Sequence, residues 1–561
     1  MDMAVPMVEL SRQVNDLRAE TLMRETRTGE IGRLGAAALL ALSLLTTVAP
    51  ASAEISPFMQ AVAEEASAEE AIAAFYRESG FAPLWTDGSA LQRARLSALL
   101  HAVSGAAAHG LPADRHAPGR IEAILAAIAT ERDRGRADVE LTRLFLRYAR
   151  DVQTGVLVPS AVDPDIKREV PVRSAEGLLR AFSKAEPETF LRGLPPSSQR
   201  YAQLMRHKMA FERLLADGGW GETVRTNRTL RPGDTGGDVV ALRNRLIRMG
   251  YLERTATARY DDAMQAAVAD FQLAHGMTAD GVAGPGTVEE VNRQVEERLA
   301  QILVAMERER WMNHPDGLGR RHIWVNLTDF RTQVYDEGKV TFETKSVVGE
   351  RRNEKATPEF SDEMEYMELN PDWTVPRSIL ARDYLPRFQR DPYAARYLQL
   401  IDSRGRVVSR DEIDFSQYTA RNFPFTVRQP PGDLNALGLV KFMFPNPHAI
   451  YLHDTPAKEL FAREVRDYSS GCIRLNDPFD LAYHLLARQV DDPKAYFDSQ
   501  LATGRQTRID LQEKVPVHLV YFTAFTTPKG EIAFRRDFYG RDARIWEALR
   551  AAGVALPAFQ G

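Results

Sequence analysis

The chain has 561 residues, 44% hydrophobic and 27% charged, which excludes a disordered or low-complexity protein and leaves room for several domains of roughly 100–200 residues. Its 72 basic and 77 acidic residues give a formal charge of −5, so no basic excess marks a nucleic-acid partner. A single cysteine excludes an internal disulfide framework.

The first predicted element is an address. LGAAALLALSLLTTVAPASA, Leu34 to Ala53, is an apolar run behind Arg33 that ends in Ala51-Ser52-Ala53, the pattern of a secretory signal peptide with its cleavage site. Its lead of thirty-three residues is long, and Met23 would start a leader of ordinary length. The alternative is an uncleaved anchor built on Leu34–Val48; Pro50 and the small-residue site favour cleavage. Residues 1–53 are therefore read as an export segment, and the rest as periplasmic, touching a membrane only if that segment is retained.

Residues 54–225 read as a helical scaffold. SAEEAIAAFYRESGFAPLW predicts a helix ending near Gly80, and ADVELTRLFLRYARDVQTG one that stops at Gly155. His101, His109, His116 and His207 are scattered and read as surface or packing residues.

Residues 226–296 form a smaller unit. LRPGDTGGDVVALRNRLIRMGYL predicts a helix capped by Asp238 and ended by Gly250. YDDAMQAAVADFQLAHGM predicts a second, capped by Asp261 or Asp262, and a third follows Gly284-Pro285-Gly286, capped by Thr287. The order Gly-Asp, Val-x-x-Leu-x-x-x-Leu, Gly-Tyr, Ala-Val-x-x-Phe-Gln and Asp-Gly-Val-x-Gly-x-x-Thr resembles the small three-helix peptidoglycan-binding domain, which implies contact with peptidoglycan.

From residue 297 to 510 the pattern becomes β. HIWVNLTDFRTQVYDEGKVTFETKSVVG gives strands around Ile323–Leu327, Thr332–Tyr335 and Val340–Val348, with a hairpin turn at Asp336-Glu337-Gly338-Lys339. Residues 379–429 are rich in Arg, Asp, Tyr and Pro, lack a core-strand pattern and read as an insertion over one face. Residues 511–561 read as a β hairpin around Pro528-Lys529-Gly530 and a helix, both packing on the β domain. The expected fold class is thus multidomain α+β.

The stretch IYLHDTPAKELFAREVRDYSSGCIRLNDP carries the chemistry. Thr455-Pro456 predicts the start of a three-turn helix whose return loop brings Cys472 beside His453. Such an imidazole can lower a thiol pKa of about 8.5 by several units as a thiolate–imidazolium pair. Gly471 permits close approach, and the Gly471 and Cys472 amides, beside Ser470, can face an oxyanion. Arg474 shares the face of Cys472 if the strand continues, and can hold a carboxylate.

His453 followed by Ser469-Ser470-Gly471-Cys472-Ile473-Arg474 resembles the active-site signature of the L,D-transpeptidases. VVGERRNEKATPEF, LNPDWTVPRSI, LGLVKFMFPN and YLHDTP are similar to segments of the large periplasmic members, which combine a helical scaffold, a peptidoglycan-binding domain and a lid-like insertion. Many relatives carry a second histidine where this chain has Ser470, so the base falls to His453; the third group that would orient it is not identifiable in the sequence, and a backbone carbonyl can fill that place. The resemblance implies attack by Cys472 on the third residue of a tetrapeptide stem, loss of the terminal D-alanine, and transfer to a neighbouring stem as a 3→3 cross-link. It implies no cofactor and no metal. Hydrolysis of the same thioester, or an inactive wall-binding scaffold, are the alternative expectations.

Overall fold

The computed structural model describes residues 55–352 and 355–556; the expected signal segment, residues 1–53, lies outside them. Between Pro57 and Ala216 the described chain is helical. Its spine is Glu131–Thr154, started by a Thr130–Asp133 capping box and ended where Gly155 turns to φ +90°. The spine buries Val139, Leu141, Phe145, Tyr148 and Val152, and Phe145 stacks on Phe182 at 4.5 Å. Three helices follow, Gly237–Met249, Asp262–Ala274 and Pro285–Val291, around Val239, Leu242, Leu246, Met264, Val268 and Phe271. Two caps differ from expectation. Gly236, not Asp238, holds the first N-cap, because Asp238 is drawn sideways to Arg228; Gly284 holds the third, leaving Thr287 inside the helix to receive Gln272 Nε2.

The helix Val295–Trp311 joins these modules to the β domain and, past its first turn, is buried from Arg298 to Trp311 except at Gln301. It packs on Gln199–Ala216 and on the C-terminal helix Arg541–Ala551. Its charged side chains are matched across module boundaries: Arg308 pairs with Asp542 at 2.8 Å, and Glu309 with Arg200 at 2.8 Å.

The strands run, in chain order, β1 (Arg321–Asn326), β2 (Arg331–Asp336), β3 (Lys339–Gly349), β4 (Phe360–Leu369), β5 (Trp373–Thr374), β6 (Gln399–Ile401), β7 (Val407–Val408) and β8 (Thr426–Gln429). They continue with β9 (Val440–Met443), β10 (Leu452–His453), β11 (Asp467–Ser469), β12 (Ile473–Leu475), β13 (Thr507–Val520), β14 (Ala524–Thr526) and β15 (Ile532–Phe534). The main sheet has the order β11-β3-β12-β10-β9-β4-β13-β1-β2, and β2 pairs back onto β3, so the sheet closes. Glu337 and Gly338 take positive φ between β2 and β3, the two-residue turn that matches strand twist. Alternate residues point inward: Ile323, Val325, Met367, Leu369, Ile473, Leu475, Val517 and Leu519, with Leu452, form the core with the helix Pro478–Leu486.

The insertion corrects the expectation. It spans the chain between β4 and β9, wider than 379–429, and contains strands: β5-β8-β6-β7 form a second sheet over a separate core of Trp373, Phe388, Leu400, Phe415, Phe423 and Val427. The strands are two to four residues long, too short for alternation to register in the sequence. Residue 511 falls inside β13, and the β14–β15 hairpin beyond it packs with Tyr201, Leu204, Ile302 and Met306 of the helices as well as with the β domain.

Candidate active site

β10 and β12 are parallel neighbours, with Leu452 beside Ile473 and His453 beside Arg474. Leu452, Ile473 and Leu475 enter the core, so alternation turns Tyr451, His453, Cys472 and Arg474 to the opposite face. β9 adds Lys441 opposite His453, and β4 adds Glu368 opposite Lys441, the two joined at 2.6 Å. All the predicted site residues thus meet at one end of β10 and β12, except that Ser470 is exposed at the turn.

The turn before the cysteine is tightly held. Gly471 has φ +121°, where a side chain would be strained. The Ser469 hydroxyl donates to the Cys472 carbonyl (2.5 Å) and accepts the Gly471 amide (3.1 Å), while the Thr357 hydroxyl donates to the Gly471 carbonyl (2.7 Å). The expectation of two amides for an oxyanion is therefore corrected: the Gly471 N–H is occupied, and the Cys472 N–H alone is free of a partner among the described residues.

Cys472 is half-buried, and its Sγ lies 3.6 Å from the Ala449 carbonyl. Burial pushes the thiol up to about 11; the Tyr451 amide and phenol, then Arg474 and Lys441, pull the other way and lose. The thiol is raised, not lowered as the sequence led one to expect. His453 is only 4% exposed, and its Nδ1 donates to the Asp454 backbone carbonyl (2.5 Å). Burial, then the neighbouring Arg474 charge, drives the imidazole down to about 3 against the pull of the Asp454 and Leu437 carbonyls. A neutral ring that donates through Nδ1 keeps Nε2 unprotonated, and that nitrogen is the one able to act as a base. The orienting partner that the sequence left open is thus the Asp454 carbonyl.

His453 and Cys472 share no hydrogen bond; as diagonal neighbours on adjacent strands their backbones stand roughly 7–8 Å apart. Tyr451 fills the position beside the cysteine. Burial, then the adjacent thiol, raises its phenol well above 10, so it remains a hydroxyl donor. Sequence reading missed Tyr451, although its place two residues before His453 puts it on the same face. Arg474 is half-buried with Nε unpartnered. The insertion is tied to this site: Tyr451 packs on both hydrophobic cores, and the Asp454 carboxylate receives Leu439 N–H (2.9 Å) and Lys458 Nζ (2.8 Å). Gly438, at φ +61°, leaves room for that carboxylate, which a Cβ would meet at 2.2 Å.

The predicted three-turn helix after Pro456 is a single 3-10 turn, Lys458–Ala462. Lys458 is drawn to the Asn476 carbonyl, and Arg466 to the Ser346 and Phe330 carbonyls, which pulls the chain out of helical register. His448 lies in the adjoining turn with its ring edge-on to Phe360. Among the described residues no three His, Cys, Asp or Glu side chains are grouped so as to hold a metal ion.

A family model for the L,D-transpeptidase catalytic domain matches residues 320–509, the stretch from β1 to the start of β13 that includes the histidine and cysteine strands. Residues 320–509 belong to the L,D-transpeptidase family. A scaffold-domain model matches 70–207 and a peptidoglycan-binding model 235–290, so the helical region and the three-helix unit also have counterparts. A Haemophilus influenzae protein, provisionally named an L,D-transpeptidase, is 34% identical over 225 residues, 40% of this chain. The match spans about half the length of that relative, 45%. Two solved L,D-transpeptidase structures are similar at lower identity. The one from Xylanimonas cellulosilytica is 15% identical, covers 53% of this chain and 99% of its own, and has a TM-score of 0.16. The one from Stackebrandtia nassauensis is 14% identical, covers 54% and 97%, and has a TM-score of 0.20.

Proposed function

We propose that the protein is an exported, wall-associated L,D-transpeptidase that joins peptidoglycan stem peptides by 3→3 cross-links through a thioester on Cys472. The observation that carries this reading is the single polar face that bears the Cys472 thiol, the His453 imidazole bonded through Nδ1 to the Asp454 carbonyl, and the Arg474 guanidinium with its Nε unpartnered.

Arg474 receives a carboxylate of the donor stem as a charge-assisted pair. Cys472 Sγ attacks the carbonyl of the third residue, and its proton passes to His453 Nε2 as the C–S bond forms. The oxyanion takes the Cys472 N–H and the Tyr451 hydroxyl. The imidazolium then protonates the departing D-alanine amine, which breaks the C–N bond. In the second half an acceptor amine attacks the thioester, its proton goes to His453, and the sulfur leaves and recovers a proton. Because thiol and imidazole rest as neutral neighbours, the transfer belongs to the attack and not to the resting state. The three-helix unit would hold the glycan near this face.

Tetrapeptide-rich muropeptides incubated with the mature protein should yield dimers linked between two third residues, with Cys472→Ala yielding none. Shortened monomers in place of dimers would turn the reading to hydrolysis. Dimers from the cysteine-free variant would end it.

A further inference from the structure

The thioester reading requires the Cys472 N–H to face the carbonyl under attack. In a trans peptide the C=O and the next N–H point in opposite directions. Whatever anchors the Gly471 carbonyl therefore also aims the Cys472 amide, and that anchor lies outside the His-Cys signature altogether.

Thr357 supplies it. Its hydroxyl donates to the Gly471 carbonyl at 2.7 Å and accepts the Gly349 N–H at 2.9 Å, so its proton and a lone pair are both committed. The residue is wholly buried, at 0% exposure. Its backbone is fixed in turn: the carbonyl receives Arg541 Nη2 (2.9 Å), and the N–H goes to the Tyr539 hydroxyl (3.2 Å), whose own proton goes to the Gly349 carbonyl (2.5 Å). Arg541 is buried and paired with Glu359 (3.3 Å), which also meets Arg308 of the central helix. At Gly349 a Cβ would stand 2.1 Å from the Lys355 carbonyl and 2.6 Å from Thr357 N, so the hydroxyl is seated against a backbone that admits no side chain.

We propose that Thr357 is a positioning residue for the transfer reaction: its hydroxyl fixes the Gly471–Cys472 peptide so that the Cys472 amide serves the oxyanion. It touches neither the sulfur nor the substrate. The frame behind it runs through Arg541 to the C-terminal helix and the central helix, so modules remote from the cysteine set the direction of its amide.

This rests on the thioester reading, and two rates on one variant separate them. Acylation of Cys472 by a tetrapeptide donor needs the oxyanion donor; alkylation by iodoacetamide, a displacement at carbon, does not. Both are followed by intact mass. In Thr357→Val the maximal acylation rate should fall roughly 10²-fold, the penalty of a misdirected group, with donor KM and alkylation within about twofold of the parent. Thr357→Ser should restore acylation. Equal acylation in Thr357→Val and the parent, or a parallel fall in both rates, overturns the positioning role. A parent protein that forms no adduct with the donor overturns the thioester reading, and this inference with it. Should Thr357→Val fail to fold, Tyr539→Phe loosens the same frame from the Gly349 side, and slowed acylation with intact alkylation is again required.

Discussion

Cys472 and His453 are each held neutral by burial, the thiol at about 11 and the imidazole at about 3. Moving a proton between them in the resting protein would run uphill by several pKa units, and each unit is about 1.4 kcal/mol. The thiol should thus behave as an ordinary buried one until a substrate arrives. Its alkylation by iodoacetamide should climb about tenfold per pH unit from pH 6 to 10 with no plateau, bending only near 11; a rate already flat at pH 6 would reveal a standing thiolate. At this scale the sequence was informative about identity and silent about state. His453, Cys472 and Arg474 could be named because residue type and spacing carry them. Ser469, Thr357 and the Asp454 carbonyl could not, since their roles come from hydrogen bonds closed by the fold. The sign of the thiol shift was missed for a related reason: burial outweighs charge here, and burial is a tertiary property.

Elements with a strong period were legible and short ones were not. The helix ending at Gly155, the β2–β3 turn and the β14–β15 hairpin follow from local chemistry. The segment after Pro456 has equally good helical signals, yet Lys458 and Arg466 find carbonyl partners elsewhere and the helix does not extend. The helix Val295–Trp311 shows the same limit from another side. Glu307 to Arg310 are four successive charged residues, which normally mark a solvated face, and all four are buried. Glu307 accepts the Val156 and Leu157 amides (2.7 and 2.9 Å) and pairs with Arg310 at 2.7 Å, so it pins the exit of the scaffold's spine to the central helix. Glu307→Leu strands a buried guanidinium and two amides, and should cost about 3–5 kcal/mol. Combining it with Arg310→Met should recover much of that loss, because no charge is then left unpaired. Urea unfolding of the two variants and the parent measures both figures; equal destabilisation of single and double variants would place the cost in packing instead.

Across the whole molecule the buried imidazoles act in concert. His109 and His322 are driven down to about 4, His453 and His518 to about 3, and His275 well below its ordinary value, each first of all by burial. In the unfolded chain each takes a proton near pH 6.5, whereas the folded protein refuses it until about 3–4 at His109, His322, His453 and His518 and until well below 6.5 at His275. The unfolded state therefore binds more protons through this window, and the stability these groups confer is complete above pH 6.5 and drains as pH falls. Asp542 opposes them: burial holds its carboxyl up to about 7, so the folded form keeps a proton that the unfolded form sheds, and its contribution fades as pH rises from about 4 to 7. Asp138 and Asp467, also raised by burial, act in the same sense as Asp542. Five imidazoles against these carboxyls leave the histidines dominant near pH 5–6. The urea midpoint should drop steadily from pH 7 to pH 5, and His518→Gln should flatten the slope by about one proton; a midpoint that holds or rises at pH 5 would contradict the balance. His453 does not titrate in that window, so activity lost at pH 5 should follow the unfolded fraction. Acylation per folded molecule should stay level from pH 7 to pH 5, because the protonated thiol and the unprotonated imidazole both persist through that range, which separates acid unfolding from any titration of the base.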